Sequence, residues 1–138
     1  MKHFNGLFNL LAIIVVGSLL LTGCGRNSNA NIELVREGHF HMNPSIKIGN
    51  AFDQYFQNGQ WKAFKASDNA DVVEFTGEFT DRDFKQTSQI YIQFLLNEGE
   101  QGNIVFNVHR MEIGGIVVDE ATSTMVISKI LSEYRPMK

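Results

Sequence analysis

Three histidines are the first candidates for chemistry in this sequence. His39 and His41 are two residues apart and would share one face of an extended segment, whereas His109 falls on a later predicted strand. Imidazole groups bind Zn²⁺ when three or four ligands converge on one point. The segment around His39 and His41 offers no third ligand at such a spacing. We therefore expect no bound metal and keep the three histidines only as alternative ligands.

The carboxylates and hydroxyls do not form a recognisable catalytic pattern. Asp81 and Asp83, with Glu78 nearby, make an acidic patch, but Asp is also an ordinary residue of turns. Paired carboxylates can act as acid and base or bind Ca²⁺, yet the spacing of a calcium-binding loop is absent. The sequence also lacks a G-x-S-x-G or S-x-x-K nucleophile motif and a glycine-rich phosphate loop. We expect neither enzymatic activity nor a cofactor.

The single cysteine, Cys24, follows a long apolar run. A positive start, Met1–His3, precedes the run Leu7–Leu21, which would rise roughly 22 Å as a helix and so falls short of the ~30 Å hydrocarbon core. This length suits a signal peptide better than a membrane span. The sequence Leu21-Thr22-Gly23-Cys24 resembles the bacterial lipobox. The resemblance implies lipidation of Cys24 and cleavage between Gly23 and Cys24.

These features predict where the protein acts. Residues 1–23 are expected to be a signal peptide, and residues 24–31 a polar tether between the lipidated Cys24 and the domain. Two or three acyl chains would hold the protein on a membrane outside the cytoplasm. Gly25 and Arg26 follow the cysteine, and neither is the Asp of an inner-membrane retention signal, so the outer membrane is favoured if the source has two. The net charge of -3 provides no basic surface for nucleic acid.

Two amphipathic helices are predicted on either side of a group of strands. Apolar residues at Ile48, Phe52 and Phe56 recur at helical spacing and predict a helix over Ile46–Asn58, which ends at Asn58-Gly59. Asp119 or Ser123 would cap the second helix, and Pro136 would end it. Its apolar face consists of Val126, Ile127, Ile130, Leu131 and Tyr134.

Alternating apolar and polar residues predict four strands between these helices. They are centred on Trp61–Lys65, Val73–Phe79, Ile90–Leu96 and Ile104–Val108. Short connections between them favour an antiparallel meander. Ile32–Arg36 is interpreted as a further short strand or edge segment, and Glu37–Pro44 as a loop. Together these elements predict one α+β domain over residues 32–138, with one apolar sheet face covered by the two helices.

The order of three motifs resembles a group of small bacterial envelope proteins of unknown function. The motifs are I-G-x-A-F at residues 48–52, W-x-x-F at residues 61–64 and V-V-E-F-x-G at residues 72–77. The chain is also similar to BamE/SmpA-type lipoproteins and β-lactamase-inhibitor-like domains, which place a short helix before antiparallel strands and bind proteins. Their usual order has two helices before the strands, whereas one is predicted here.

A small anchored domain without a catalytic pattern leads to one main functional expectation. We expect a non-enzymatic module that binds an envelope protein or supports assembly, through the strand face of Glu74, Thr76 and Glu78 or through a free sheet edge. One alternative is an inhibitor or immunity-type lipoprotein that blocks an enzyme. Another is a domain that binds a small ligand or a metal through His39, His41 and His109.

Overall fold

Five antiparallel strands in sequence order form the sheet, and the computed structural model describes residues 27–138. Three helices accompany the sheet: α1 (Ser28–Glu37) and α2 (Ile48–Tyr55) precede it and α3 (Glu120–Glu133) follows it. The strands are β1 (Gln57–Lys65), β2 (Asp71–Thr80), β3 (Thr87–Glu98), β4 (Ile104–Ile113) and β5 (Ile116–Val117). The predicted α+β meander, with a helix before and after it, is confirmed.

Strand alternation separates the sheet into a covered inner face and an open outer face. In β2 the inner residues Val73, Phe75 and Gly77 are buried, while Glu74 and Thr76 remain partly exposed on the other side. The central strand β3 continues the inner face with four buried side chains, Ile90, Ile92, Phe94 and Leu96. The helices contribute their apolar residues to the same core, so they lie on the inner face.

Aromatic rings fill the centre of this core. Phe52 of α2 has no exposed surface, and its ring centroid lies 4.9 Å from that of Phe75 and 5.7 Å from that of Trp61. Phe56 packs edge-on against Phe52 with ring centroids 5.5 Å apart, and the ring centroid of Phe94 lies 6.3 Å from that of Phe52. Phe52 of α2 and Phe56, which directly follows the helix, therefore pack this end of α2 on the sheet.

The prediction of a strand at Ile32–Arg36 is wrong, because these residues belong to α1. Asn27 caps the helix with its side-chain oxygen, 3.2 Å from the backbone nitrogen of Asn29, and Asn31 and Val35 are buried one turn apart. Arg36 fixes the last turn through an ion pair with Asp53 of α2 at 2.7 Å. Helix α1 also includes the last four residues of the predicted tether.

The end of α2 also differs from the prediction. Phe56 is extended, and Asn58-Gly59 lies inside β1 instead of ending the helix. Asn58 has φ 53°, and the register of β1 against β2 shifts between Gln57 and Gln60. The residues typical of a helix stop therefore form a β-bulge. The short strand β5 was not predicted; Gly114-Gly115, both with positive φ, turn the chain back to form it.

The predicted signal peptide and Gly23 and Cys24 of the predicted lipobox lie outside the described residues. Lipidation and cleavage at these positions therefore stay predictions. Within residues 27–138, no helix has both the length and the apolar character needed to cross a membrane.

Candidate functional site

An open groove of about 1030 Å³ lies beside β4. Three parts of the chain line it: the loop after α1, strand β4, and the segment from β5 into α3. The apolar lining includes Phe40, Met42, Phe106, Val108, Val117 and Ile127. We call this surface the β4 groove. It exists because α1 and α2 cover the first strands of the inner face and leave the side of β4 only partly covered.

The wall formed by the loop depends on a close contact at Gly38. The backbone nitrogen of Gly38 donates to the carbonyl of Val35 at 3.1 Å. The carbonyl of Gly38 accepts a hydrogen bond from the backbone nitrogen of Ile48 at 2.9 Å. A Cβ atom at this position would lie 2.5 Å from Cζ of Phe106. Only glycine lets the chain leave α1 this close to the Phe106 ring. The same ring packs edge-on against Phe94 at 6.0 Å and so joins the groove to the core.

The wall formed by α3 depends on Asp119. Its carboxylate Oδ1 accepts a hydrogen bond from the backbone nitrogen of Thr122 at 2.7 Å. Hydrogen bonding from Thr122 lowers the pKa of Asp119. Just before this cap, the backbone nitrogen of Val118 donates to the carbonyl of Met111 at 3.0 Å. These two bonds determine where the chain leaves the sheet and where α3 begins.

The edge of β4 beside the groove has free backbone groups. The nitrogen of Gly99 donates to the carbonyl of Asn103 at 2.7 Å, so the backbone of Asn103 faces β3. Because backbone groups alternate in direction along a strand, the N–H and C=O groups of Val105 and Asn107 also point toward β3. The backbone groups of Ile104, Phe106 and Val108 point to the other side, where the Val108 carbonyl accepts a hydrogen bond from the side-chain nitrogen of Asn107 at 3.4 Å. Strand β5 pairs only with Glu112 and Ile113, so nothing in residues 27–138 pairs with this edge from Ile104 to Val108.

A β-bulge ends the free edge. Gln93 pairs with Arg110 and Phe94 pairs with Val108, which leaves His109 as the extra residue of β4. The bulge reverses the direction in which alternate backbone groups point. The carbonyl of Met111 therefore faces β5 and accepts the hydrogen bond from the backbone nitrogen of Val118. The free edge and the part of β4 covered by β5 are therefore separate.

All three candidate histidines line the β4 groove. His39 and His41 come from the loop and His109 from the bulge, and all three are exposed. Within residues 27–138, no set of three His, Cys, Asp or Glu side chains is placed to hold a metal ion. The sequence grouped the three histidines as alternative ligands by residue type alone. Their place in one groove depends on how α1 and its loop pack on β4.

The outer sheet face is the other surface that the sequence suggested, and its carboxylates are already bonded. Tyr91 donates to Glu74 Oε2 at 2.7 Å, and burial with this bond raises the pKa of Tyr91 to about 12. Glu78 accepts from Asn58 at 3.0 Å, and Glu112 pairs with Arg110 at 2.7 Å. The carboxylates of the outer face therefore already have protein partners, whereas the free edge of β4 has no partner strand in the described residues.

The acidic turn lies away from the groove and has a structural role. Asp81 Oδ1 accepts from the backbone nitrogens of Asp83 at 2.8 Å and Phe84 at 2.9 Å. These bonds lower the pKa of Asp81. Asp81 lines a smaller cavity of about 670 Å³ between β2 and α3, whose lining carries charges of both signs. The turn geometry accounts for the aspartates at this position.

Exposed apolar side chains add to the evidence for the groove. Met42 and Val117 are 49% and 54% exposed, and both line it. Val105, at the same edge, is 45% exposed and directs its side chain to the outer face. Large apolar side chains that cluster at one exposed surface are typical of interaction sites.

A comparison with known proteins finds no matching family model, no matching curated protein and no matching solved structure.

Proposed function

We propose that this protein is a lipid-anchored envelope protein without enzymatic activity, and that it binds an apolar segment of another polypeptide in the β4 groove. The observation that supports this most directly is the coincidence of exposed apolar side chains and a free strand edge at one groove. Protein-binding sites commonly combine an apolar surface with a small number of polar groups that need partners.

The charge of the groove favours an uncharged segment. Arg110 and Glu120 are the charged residues of its lining, and Arg110 is already paired with Glu112. A charged side chain placed among Phe106, Val108 and Ile127 would lose its hydration without gaining an ion pair. The bound part of the partner should therefore be apolar where it faces the groove.

The shape of the groove favours a different chain over a second copy of this one. The free edge of β4 lies between the loop Gly38–Met42 on one side and α3 on the other. A second copy has the same loop and helix beside its own edge, and in a symmetric pair these would have to fit against each other as well. A partner that offers a protruding or extended segment can enter.

The proposed anchor places this groove near a membrane. Helix α1 begins at Ser28, four residues after Cys24. A chain of four residues spans at most ~14 Å when extended. If Cys24 is lipidated, the domain is held close to the lipid surface, and the partner must present its segment there.

Site-specific photo-cross-linking in intact cells tests this proposal. A photoreactive amino acid replaces Met42 or Val117 in the groove, and a matched control replaces Met125, which is 66% exposed and does not line the groove. We expect one defined protein adduct from the two groove positions and none from Met125. The adduct should disappear in the Cys24→Ala background. Identical adducts at all three positions, or none at the groove positions, would contradict the proposal.

A further inference from the structure

We infer that the partner segment binds as an added strand, pairing with β4 from Ile104 to Val108; this inference rests on the proposed function. The backbone groups of Ile104, Phe106 and Val108 point away from β3 and have no partner strand in the described part of the chain. An edge of this kind is a template for one more strand. In such complexes the main chain provides the hydrogen bonds and alternate side chains provide the selectivity.

The length of the added strand is limited at one end. At His109 the bulge changes the direction of the backbone groups, and beyond it β5 pairs with Glu112 and Ile113. The hydrogen bond from Val118 to Met111 uses the acceptor next to the bulge. An added strand can therefore pair with about five residues of β4, from Ile104 to Val108, and must turn away at the bulge.

The faces of β4 determine the side-chain pattern of the segment. Ile104, Phe106 and Val108 direct their side chains to the inner face, where they line the groove, and Val105 and Asn107 direct theirs to the outer face. Residues directly opposite each other on paired strands share a face. The segment should therefore carry apolar residues opposite Ile104, Phe106 and Val108. The two intervening residues lie beside Val105 and Asn107 and can be polar.

A displayed library of random decapeptides, selected on the full lipidated chain in nanodiscs, provides the probe. Selected peptides are resynthesised with a single N-methyl group at each position in turn. An N-methyl group removes a backbone donor and leaves the side chain in place. We expect N-methylation at every second residue of the bound stretch to weaken binding at least tenfold, and at the intervening residues less than twofold.

Two variants of the protein give the matching test from its own side. Val108→Pro removes a donor that points to the free edge, a position where an edge strand tolerates proline. Val108→Ala trims the side chain but keeps the donor. We expect the proline variant to lose at least tenfold in peptide affinity and the alanine variant much less. Amide exchange of Phe106 in the wild-type complex adds a readout that does not depend on folding of the variants, and peptide binding should slow it.

The outcomes separate this inference from the proposed function. If selected peptides bind but N-methylation shows no alternation and Phe106 stays unprotected, strand addition is wrong while groove binding stands. If no peptide is selected and the groove positions give no adduct in cells, both are wrong. Alternating N-methyl effects together with protection of Phe106 support strand addition.

Discussion

Single residues at the groove act through local bonds whose strength can be measured. Asp119 is such a residue, because its carboxylate holds the backbone nitrogen of Thr122 and so begins α3. The sequence predicted either Asp119 or Ser123 as the cap. The structure shows Asp119 in that role and Ser123 buried within the first turns. Both types cap helices, so only the packing of α3 could decide between them.

The Asp119 cap should make stability depend on pH. Its folded pKa lies below the ordinary value of 3.8, so its contribution is present above that pH and is lost as the pH falls through the folded pKa. Asp119→Asn keeps a capping oxygen but does not titrate. We expect the wild type to lose more thermal stability than Asp119→Asn between about pH 4 and pH 2. Melting temperatures of both proteins across this pH range measure the difference. An equal loss in the two proteins would contradict the prediction. Asp81 is present in both proteins, so its contribution does not affect the comparison.

Phe52 is the residue with the largest expected effect on folding. It has no exposed surface and contacts Phe56, Trp61, Phe75 and Phe94. We expect Phe52→Ala to lower the free energy of unfolding by about 3–5 kcal/mol, because the cavity cannot collapse fully. The matched control is Phe84→Ala, since Phe84 is 81% exposed and its truncation should change stability by less than ~0.5 kcal/mol. Denaturant unfolding gives both values, and equal effects would contradict the assigned core.

At the scale of elements, long alternating segments were easier to predict than short ones. The faces of β2 and β3 followed from sequence because each strand extends over 10 or more residues with one buried side. Ile32–Arg36 has too few residues for its period to be recognised, and its helix depends on Asn27 and on the ion pair of Arg36 with Asp53. Strand β5 has two residues and could not be identified by any period.

The free edge of β4 predicts an alternating pattern of amide exchange in the unbound protein. The amides of Val105 and Asn107 face β3 and should exchange slowly, whereas those of Ile104, Phe106 and Val108 face the open edge and should exchange fast. Nuclear magnetic resonance with deuterium exchange measures all five. The paired strand β3 serves as the control, because its amides bond to β2 and β4 on either side. Uniform protection along β4 would show that the edge is already covered.

At the scale of the whole molecule, the sequence predicted the architecture but not the functional surface. The meander followed from the spacing of the strands. One helix before and one after the strands followed from the apolar helix faces that include Phe52 and Ile130. The β4 groove depends on contacts between distant segments, above all Gly38 against Phe106. No local pattern encodes that contact. The histidines at positions 39, 41 and 109 likewise share the groove through tertiary packing alone.

The last prediction concerns Cys24, on which the proposed position of the molecule at a membrane depends. The sequence Leu21-Thr22-Gly23-Cys24 resembles a lipobox, in which the single thiol would be acylated and the chain cleaved before it. One acyl chain binds membranes only marginally, whereas two or three hold a protein stably. We therefore expect Cys24→Ala to abolish both acyl labelling and cleavage before residue 24. Metabolic labelling with a fatty acid and mass measurement of the purified chain test this.

A control at Arg26 separates loss of the thiol from a general effect of changing this segment. Arg26→Ala leaves the lipobox intact, so labelling and cleavage should continue. Continued labelling of Cys24→Ala would contradict the anchor. Because helix α1 begins four residues after Cys24, a domain without the lipid would keep the same fold and groove. The Cys24→Ala protein, which keeps residues 1–23, should therefore bind the selected peptides in nanodiscs as well as the lipidated protein does, while its cross-link to the partner in cells is lost.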